Sequence, residues 1–129
     1  MKKTLIIVIA AIAVGVGAYF LFFNTPKGES EVLYNYAIKE AFIANVKDSQ
    51  KLVKASIILV VNKDITEDLE KNVYIIRDTI LIMLRSLTDE DISSGDIMEK
   101  LRSDIPAALN EALDIDNVVS IYFSDFVMQ

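Results

Sequence analysis

The 129-residue sequence contains no cysteine and no histidine. The first absence removes disulfides, thiolate metal sites and any lipid-modified cysteine. The second removes the usual imidazole base and the commonest metal ligand, leaving carboxylates, hydroxyls, lysines and tyrosines for any chemistry. A clustered basic surface is also missing. Every one of the 19 acidic residues lies at or beyond Glu29, and the stretch after Phe23 carries a net charge of −8. Nucleic acid, which demands clustered Lys and Arg, is excluded on that ground, and docking on anionic headgroups is disfavoured. Length excludes a second catalytic domain: past the N-terminal apolar segment there is room for one domain of roughly 90 residues, held together by packing alone.

Hydrophobicity is concentrated at the start. Residues 1–4 carry Lys2 and Lys3 and read as a short cytoplasmic tail; residues 5–23 then run without a charge. Such a run makes a helix of roughly 28 Å, which matches a hydrocarbon core of about 30 Å. The downstream flank is acidic, so the positive-inside bias places the N-terminus in the cytoplasm and the bulk of the chain outside. A cleaved leader is the alternative, since Val16 and Ala18 suit the small-residue rule for cutting before Tyr19. Against it, Leu21 and the aromatics Tyr19, Phe20, Phe22 and Phe23 prolong the apolar run past that point. Ala11 with Gly15, and Ala13 with Gly17, stand four apart, the spacing that lets membrane helices pack closely.

Residues 24–38, with Pro26 and Gly28, read as a linker. The domain follows at 39–129. Phe42, Ala44 and Val46 alternate with polar or flanking positions, Lys47 to Gln50 is a polar turn, and Val53, Ala55, Ile57, Leu59 and Val61 form one apolar face, which together predict a hairpin. Because Ile58 and Val60 are apolar too, the second strand is expected to be central and buried on both faces toward its end.

Asn62 or Asp64 can cap a helix whose stripe is Ile65, Leu69, Val73, Ile76, Ile80, Leu84 and Leu87. Thr88 to Ser94 interrupts it as a turn. A second helix carries Ile97, Leu101, Ile105, Ala108, Leu109, Ala112 and Leu113, and Pro106 should kink or divide it. Val118 to Met128 alternates again, with Val119, Ile121, Phe123 and Val127 expected on one side. The fold class is therefore α+β: a three-stranded, mainly antiparallel sheet with two helices in the order β-β-α-α-β.

The terminal run Ile121-Tyr122-Phe123-Ser124-Asp125-Phe126-Val127-Met128-Gln129 resembles the last strand of the flagellar basal-body-associated FliL family, which ends in an aromatic, Ser or Thr, another aromatic, Val and Gln. The resemblance extends inward to Lys54-Ala55-Ser56-Ile57-Ile58-Leu59, to Arg77-Asp78 with Ile80 and Leu84, and to Leu101-Arg102 with Asn110 and Leu113. It covers nearly the whole chain through the order and spacing of the set. The family often has glycine then lysine before its Leu-Arg pair, whereas Gly95 here precedes Asp96 and Ile97; Pro106 is a second departure.

The resemblance implies a stomatin-like periplasmic domain, anchored in the inner membrane, that self-associates into a ring or arc. It further implies association with basal-body proteins and the MotA/MotB-type stator, in support of motility and torque. No catalytic residue, cofactor, metal or small-molecule substrate is expected. Asp89-Glu90-Asp91 lacks the alternating ligands and glycine of a calcium loop and reads as a solvated turn; Asp114 with Asp116, and Ser124 with Asp125, read as turn and strand-edge residues. Tyr74, Ile75, Leu81 and Ile82 lie off the core stripe of the first helix, and if exposed they form a contact for another subunit or the stator. An anchored ligand-binding or sensory module and a generic membrane scaffold stay open as other classes.

Overall fold

Strand β3 (Leu52–Val61) is hydrogen-bonded along both edges, and every other strand takes its register from it. The computed structural model describes residues 1–23 and 30–129. On one edge lie β1 (Tyr34–Ala37) and β2 (Phe42–Asn45), which pair antiparallel with the last and first four residues of β3. Together they form one interrupted column. The break at Ile38–Ala41 is still tied in, since the Ile38 amide donates to the Ile57 carbonyl at 3.1 Å. On the other edge runs β4 (Val118–Met128), also antiparallel.

The sheet thus has four strands, not three. Strand β1 occupies residues read from sequence as linker, because Tyr-Asn-Tyr-Ala is too short and too polar to signal a strand before its partner is known. The remaining linker features, Pro26 and Gly28, lie outside the described residues. The chain divides into two units, Met1–Glu31 and Val32–Gln129. The first holds helix α1 (Lys2–Phe23), long and apolar enough to cross a membrane by length and composition, with the Tyr19 and Phe23 rings stacked at 4.6 Å.

In the second unit, Asp64 opens the helical segment: its Oδ1 accepts from the Thr66 amide at 3.3 Å and from the Thr66 hydroxyl at 2.9 Å. Helix α2 (Thr66–Lys71) and helix α3 (Val73–Arg85) are separated at Asn72, whose side-chain amide donates to the Asp68 carbonyl at 2.8 Å. The apolar stripe passes through this joint, so Leu69, Ile76, Ile80 and Leu84 are all buried. They meet Phe42, Ala44, Ala55, Ile57, Leu59 and Ile121 from the sheet. Each fully buried Leu, Ile or Phe here is worth about 1.5–3 kcal/mol in transfer free energy.

Thr88 to Ser94, read as a turn, contains the short helix α4 (Asp89–Ser93). Thr88 caps it: its hydroxyl accepts from the Asp91 amide at 3.2 Å, while the Asp91 carboxylate accepts from the Thr88 amide at 3.0 Å. This reciprocal capping uses the acidic run at the positive end of the helix.

Helix α5 (Ile97–Leu113) runs through Pro106 without dividing. Proline withholds one donor, from the carbonyl of Arg102. Arg102 lies on the exposed side where water can serve, whereas Ile105, Pro106 and Leu109 are buried and hold the helix in place. Asp114, in the left-handed region with φ 53°, ends the helix. The side-chain amide of Asn110 then clasps Val118, donating to its carbonyl at 2.9 Å and accepting from its amide at 3.0 Å. That bidentate link sets where β4 begins.

Strand β4 departs from simple alternation at two places. Its register against β3 shifts between Val60 and Val61 and again between Ser56 and Ile57, where Val119 and Ser124 are the extra residues. Each extra residue reverses the phase of the strand. Ile121 and Phe123 face the helices as expected, but Val119 and Val127 are 42% and 37% exposed, and Phe126 turns inward in the place of Val127.

Replacement of Asn110 by alanine leaves both polar groups of the Val118 backbone without their partner; urea unfolding of the full chain in detergent should show a loss of about 1–3 kcal/mol. The hydrogen bonds from Thr88 hold the Asp91 carboxyl below its ordinary value. A depressed folded value means stability that is present near neutrality and lost as pH falls through it. The unfolding midpoint should therefore drop more between pH 7 and about pH 3 in the parent chain than in Asp91→Asn.

Candidate functional site

Helix α3 presents two faces of opposite character. Ile76, Ile80 and Leu84 enter the core, while Tyr74, Ile75, Asp78, Ile82 and Arg85 point away from it. At about 100° per residue the second set falls on one arc of the helix. Tyr74 is 83% exposed, Ile75 45% and Ile82 61%. Leu81 differs from these three, being half-buried and packed against the core. Three of the four apolar residues singled out on this flank therefore form an open surface, with Asp78 set among them and Arg85 at its end.

Beside Tyr74 the interruption between β1 and β2 leaves backbone carbonyls without strand partners. Arg77 answers them. Its Nη1 donates to the Glu40 carbonyl at 2.9 Å and its Nη2 to the Ala41 carbonyl at 3.4 Å. The guanidinium also lies over the buried Phe42 ring, 4.5 Å from its centroid. A planar, delocalised cation suits both tasks at once, stacking on the ring while its fork reaches two carbonyls. Sequence reasoning noted Arg77 only as part of a helix pattern. Its clamp spans 36 and 37 residues of sequence, and no local signal reports such a distance.

A hollow of about 350 Å³ adjoins this clamp, lined in part by Tyr36, Lys39, Glu40, Glu70 and Tyr74. Its walls carry charges of both signs, and its one guanidinium is already committed to backbone. Burial and the Glu70 carboxylate raise the Tyr36 phenol above its usual value, so the phenol stays protonated here.

Along the C-terminal motif, Tyr122 and Val127 lie on the outer face of the sheet, opposite Ile58 and Lys54. Phe123 and Phe126 point inward and meet edge to face with centroids 5.4 Å apart. Asp125 stands opposite Ser56, and the Ser124 hydroxyl donates to the Ser56 carbonyl at 3.5 Å. Gln129 closes the ladder by exchanging two backbone hydrogen bonds with Leu52, at 2.7 and 2.9 Å. The motif is thus a structural edge of the sheet whose outer side chains remain free for contact.

In helix α1, Ala11 with Gly15 and Ala13 with Gly17 are all exposed, and a Cβ at either glycine would meet nothing within 4 Å. The two pairs lie about 200° apart around the helix, so a single flat contact would use only one of them.

The model for the family described as "Flagellar basal body-associated protein FliL" matches residues 35–129. The chain belongs to the FliL family. It is 29% identical over 102 residues to the flagellar protein FliL of Aquifex aeolicus (strain VF5), a match covering 77% of this chain and 63% of the length of that protein. The FliL match begins inside β1 and ends at Gln129, so all of the sheet but Tyr34 falls within it, as do the Arg77 clamp and the α3 flank.

The Arg77 clamp makes a direct prediction. Lysine keeps the charge but cannot reach both carbonyls while lying flat on Phe42, so Arg77→Lys should cost about 1–2 kcal/mol in urea unfolding. Retention of parental stability would show that one contact suffices.

Proposed function

We propose that this FliL-family chain is a non-enzymatic accessory of the flagellar motor. Helix α1 anchors it in the cytoplasmic membrane, with residues 1–4 on the cytoplasmic side, residues 5–23 spanning, and the folded domain outside. The domain self-associates into a ring or arc and works alongside the MotA/MotB-type stator, supporting its assembly or activation and hence motility and torque.

Three observations support the reading. The family is described as basal-body-associated. At about 33 Å, helix α1 is long enough for one span, and its two lysines precede the apolar run. The observation that carries the contact itself is the flank of α3: Tyr74, Ile75 and Ile82 are large, exposed and on one arc of the helix. Large apolar side chains exposed along one arc and set beside charged residues mark a docking surface better than a solvated face. One of the small-residue pairs, Ala11/Gly15 or Ala13/Gly17, is the second contact in the proposal, packing α1 against a neighbouring membrane helix.

The native chain has no cysteine, so a single cysteine at Ile75 or Ile82 can carry a photoactivatable crosslinker without side reactions. In cells that possess the stator, illumination should yield ladders of higher oligomers or adducts to stator subunits, and Ile82→Glu should reduce swimming while leaving protein level unchanged. A functional chain that stays unlinked with and without the stator would remove the α3 flank from the proposal.

A further inference from the structure

The geometry points to the surface that receives the α3 flank: the outer face of the sheet in a second copy of this chain, the two held by Asp78 against Lys54 and Arg85 against Asp125. This inference rests on the self-association proposed above and adds the complementary half of the contact.

Residues directly opposite one another in an antiparallel ladder share a face. Ile43, Lys54 and Val127 therefore form one row across β2, β3 and β4, and Ser56 with Asp125 forms the next. These rows lie on the side of the sheet away from the buried core, and the helices leave them uncovered: Ile43 is 62% exposed, and Leu52 and Val127 are exposed as well. A hollow of about 130 Å³ opens among Ile43, Leu52, Lys54, Val127 and Gln129. The face therefore offers an apolar hollow of a size to receive an aromatic ring, with a cation at its side.

The α3 flank is the matching relief. Tyr74 projects from it almost fully exposed, and Asp78 follows one turn later. Laid along β3 in the same direction as the strand, α3 puts the Tyr74 ring over the hollow and Asp78 beside Lys54. Charge spacing agrees with that placement. From Asp78 to Arg85 the helix rises about 10 Å, and from Lys54 to Asp125, two residues along and one strand across, is about 8 Å. A negative then a positive charge on the helix thus meets a positive then a negative charge on the sheet. None of the four side chains takes part in an ion pair among the described residues.

The two faces sit on opposite layers of the domain, helix layer against sheet layer. Copies joined this way stack head to tail, each using both faces, which is the heterologous contact that closes into a ring or arc when the rotation allows. An isologous dimer of two antiparallel α3 flanks would instead set Asp78 against Arg85 of the second copy, bring Ile82 against Ile82 and leave the hollow on the sheet empty.

The test uses the full chain in vesicle membranes, with circular dichroism confirming that each variant is folded. Lys54→Glu and Asp78→Lys should each reduce self-association at least tenfold, and chains carrying both changes should regain it. A chain with Ser56→Cys mixed with a chain with Ile82→Cys should give mixed disulfide dimers, with none from Ile82→Cys alone. Assembly that persists with Ile82-to-Ile82 dimers, or with no rescue by the double charge swap, would overturn this pairing and leave self-association standing. A parental chain that stays monomeric would overturn both.

Discussion

The tertiary structure depends on β3 being satisfied on both edges and on its helix-facing side at once. One continuous strand supplies hydrogen bonds to three others and presents Ala55, Ile57, Leu59 and Val61 to the helices. A central strand of this kind cannot slip, because a one-residue shift would turn its entire apolar set to the wrong face. The chain compensates for the interruption between β1 and β2 with Arg77, and fixes the entry of β4 with Asn110. Asn110 reaches from a helix to strand backbone and Arg77 to the backbone of the break between two strands, so the helix layer is positioned by directional bonds as well as by packing.

That division of labour leaves the rest of each layer available. Helix α3 commits Ile76, Ile80 and Leu84 to the core and Arg77 to the strand break, which leaves Tyr74, Ile75 and Ile82 exposed. The sheet likewise commits one face to the core, and its other face keeps Ile43, Lys54, Tyr122 and Val127 outward. Both exposed faces are the reverse sides of elements whose other sides are packed into the core.

Helix and strand periodicity, read locally, was informative wherever one face is buried. The hairpin β2–β3, the apolar stripe of α3 and, apart from the exposed Ala112, that of α5, the central position of β3 and the terminal strand were legible, because period 2 and period 3.6 are imposed by burial on one side. The family, too, was legible from the order of its short motifs. Thr88 three residues before Asp91 is a capping pattern that could have revealed α4, had the acidic run not drawn attention to its charge. Of the flank residues, Tyr74, Ile75 and Ile82 proved exposed, while Leu81 proved to be part of the packing.

Sequence by itself determined composition, charge, the apolar N-terminal helix and the alternation of buried and exposed positions within each element, since these depend only on residues a few places apart. Tertiary structure decided what depends on distant partners. Tyr34–Ala37 becomes a strand only because β3 offers it an edge. Pro106 stays within one helix because burial of Ile105, Pro106 and Leu109 outweighs a lost hydrogen bond. The two register shifts in β4 reverse which residues face outward, and no local pattern encodes them, because a bulge is defined by the strand across from it.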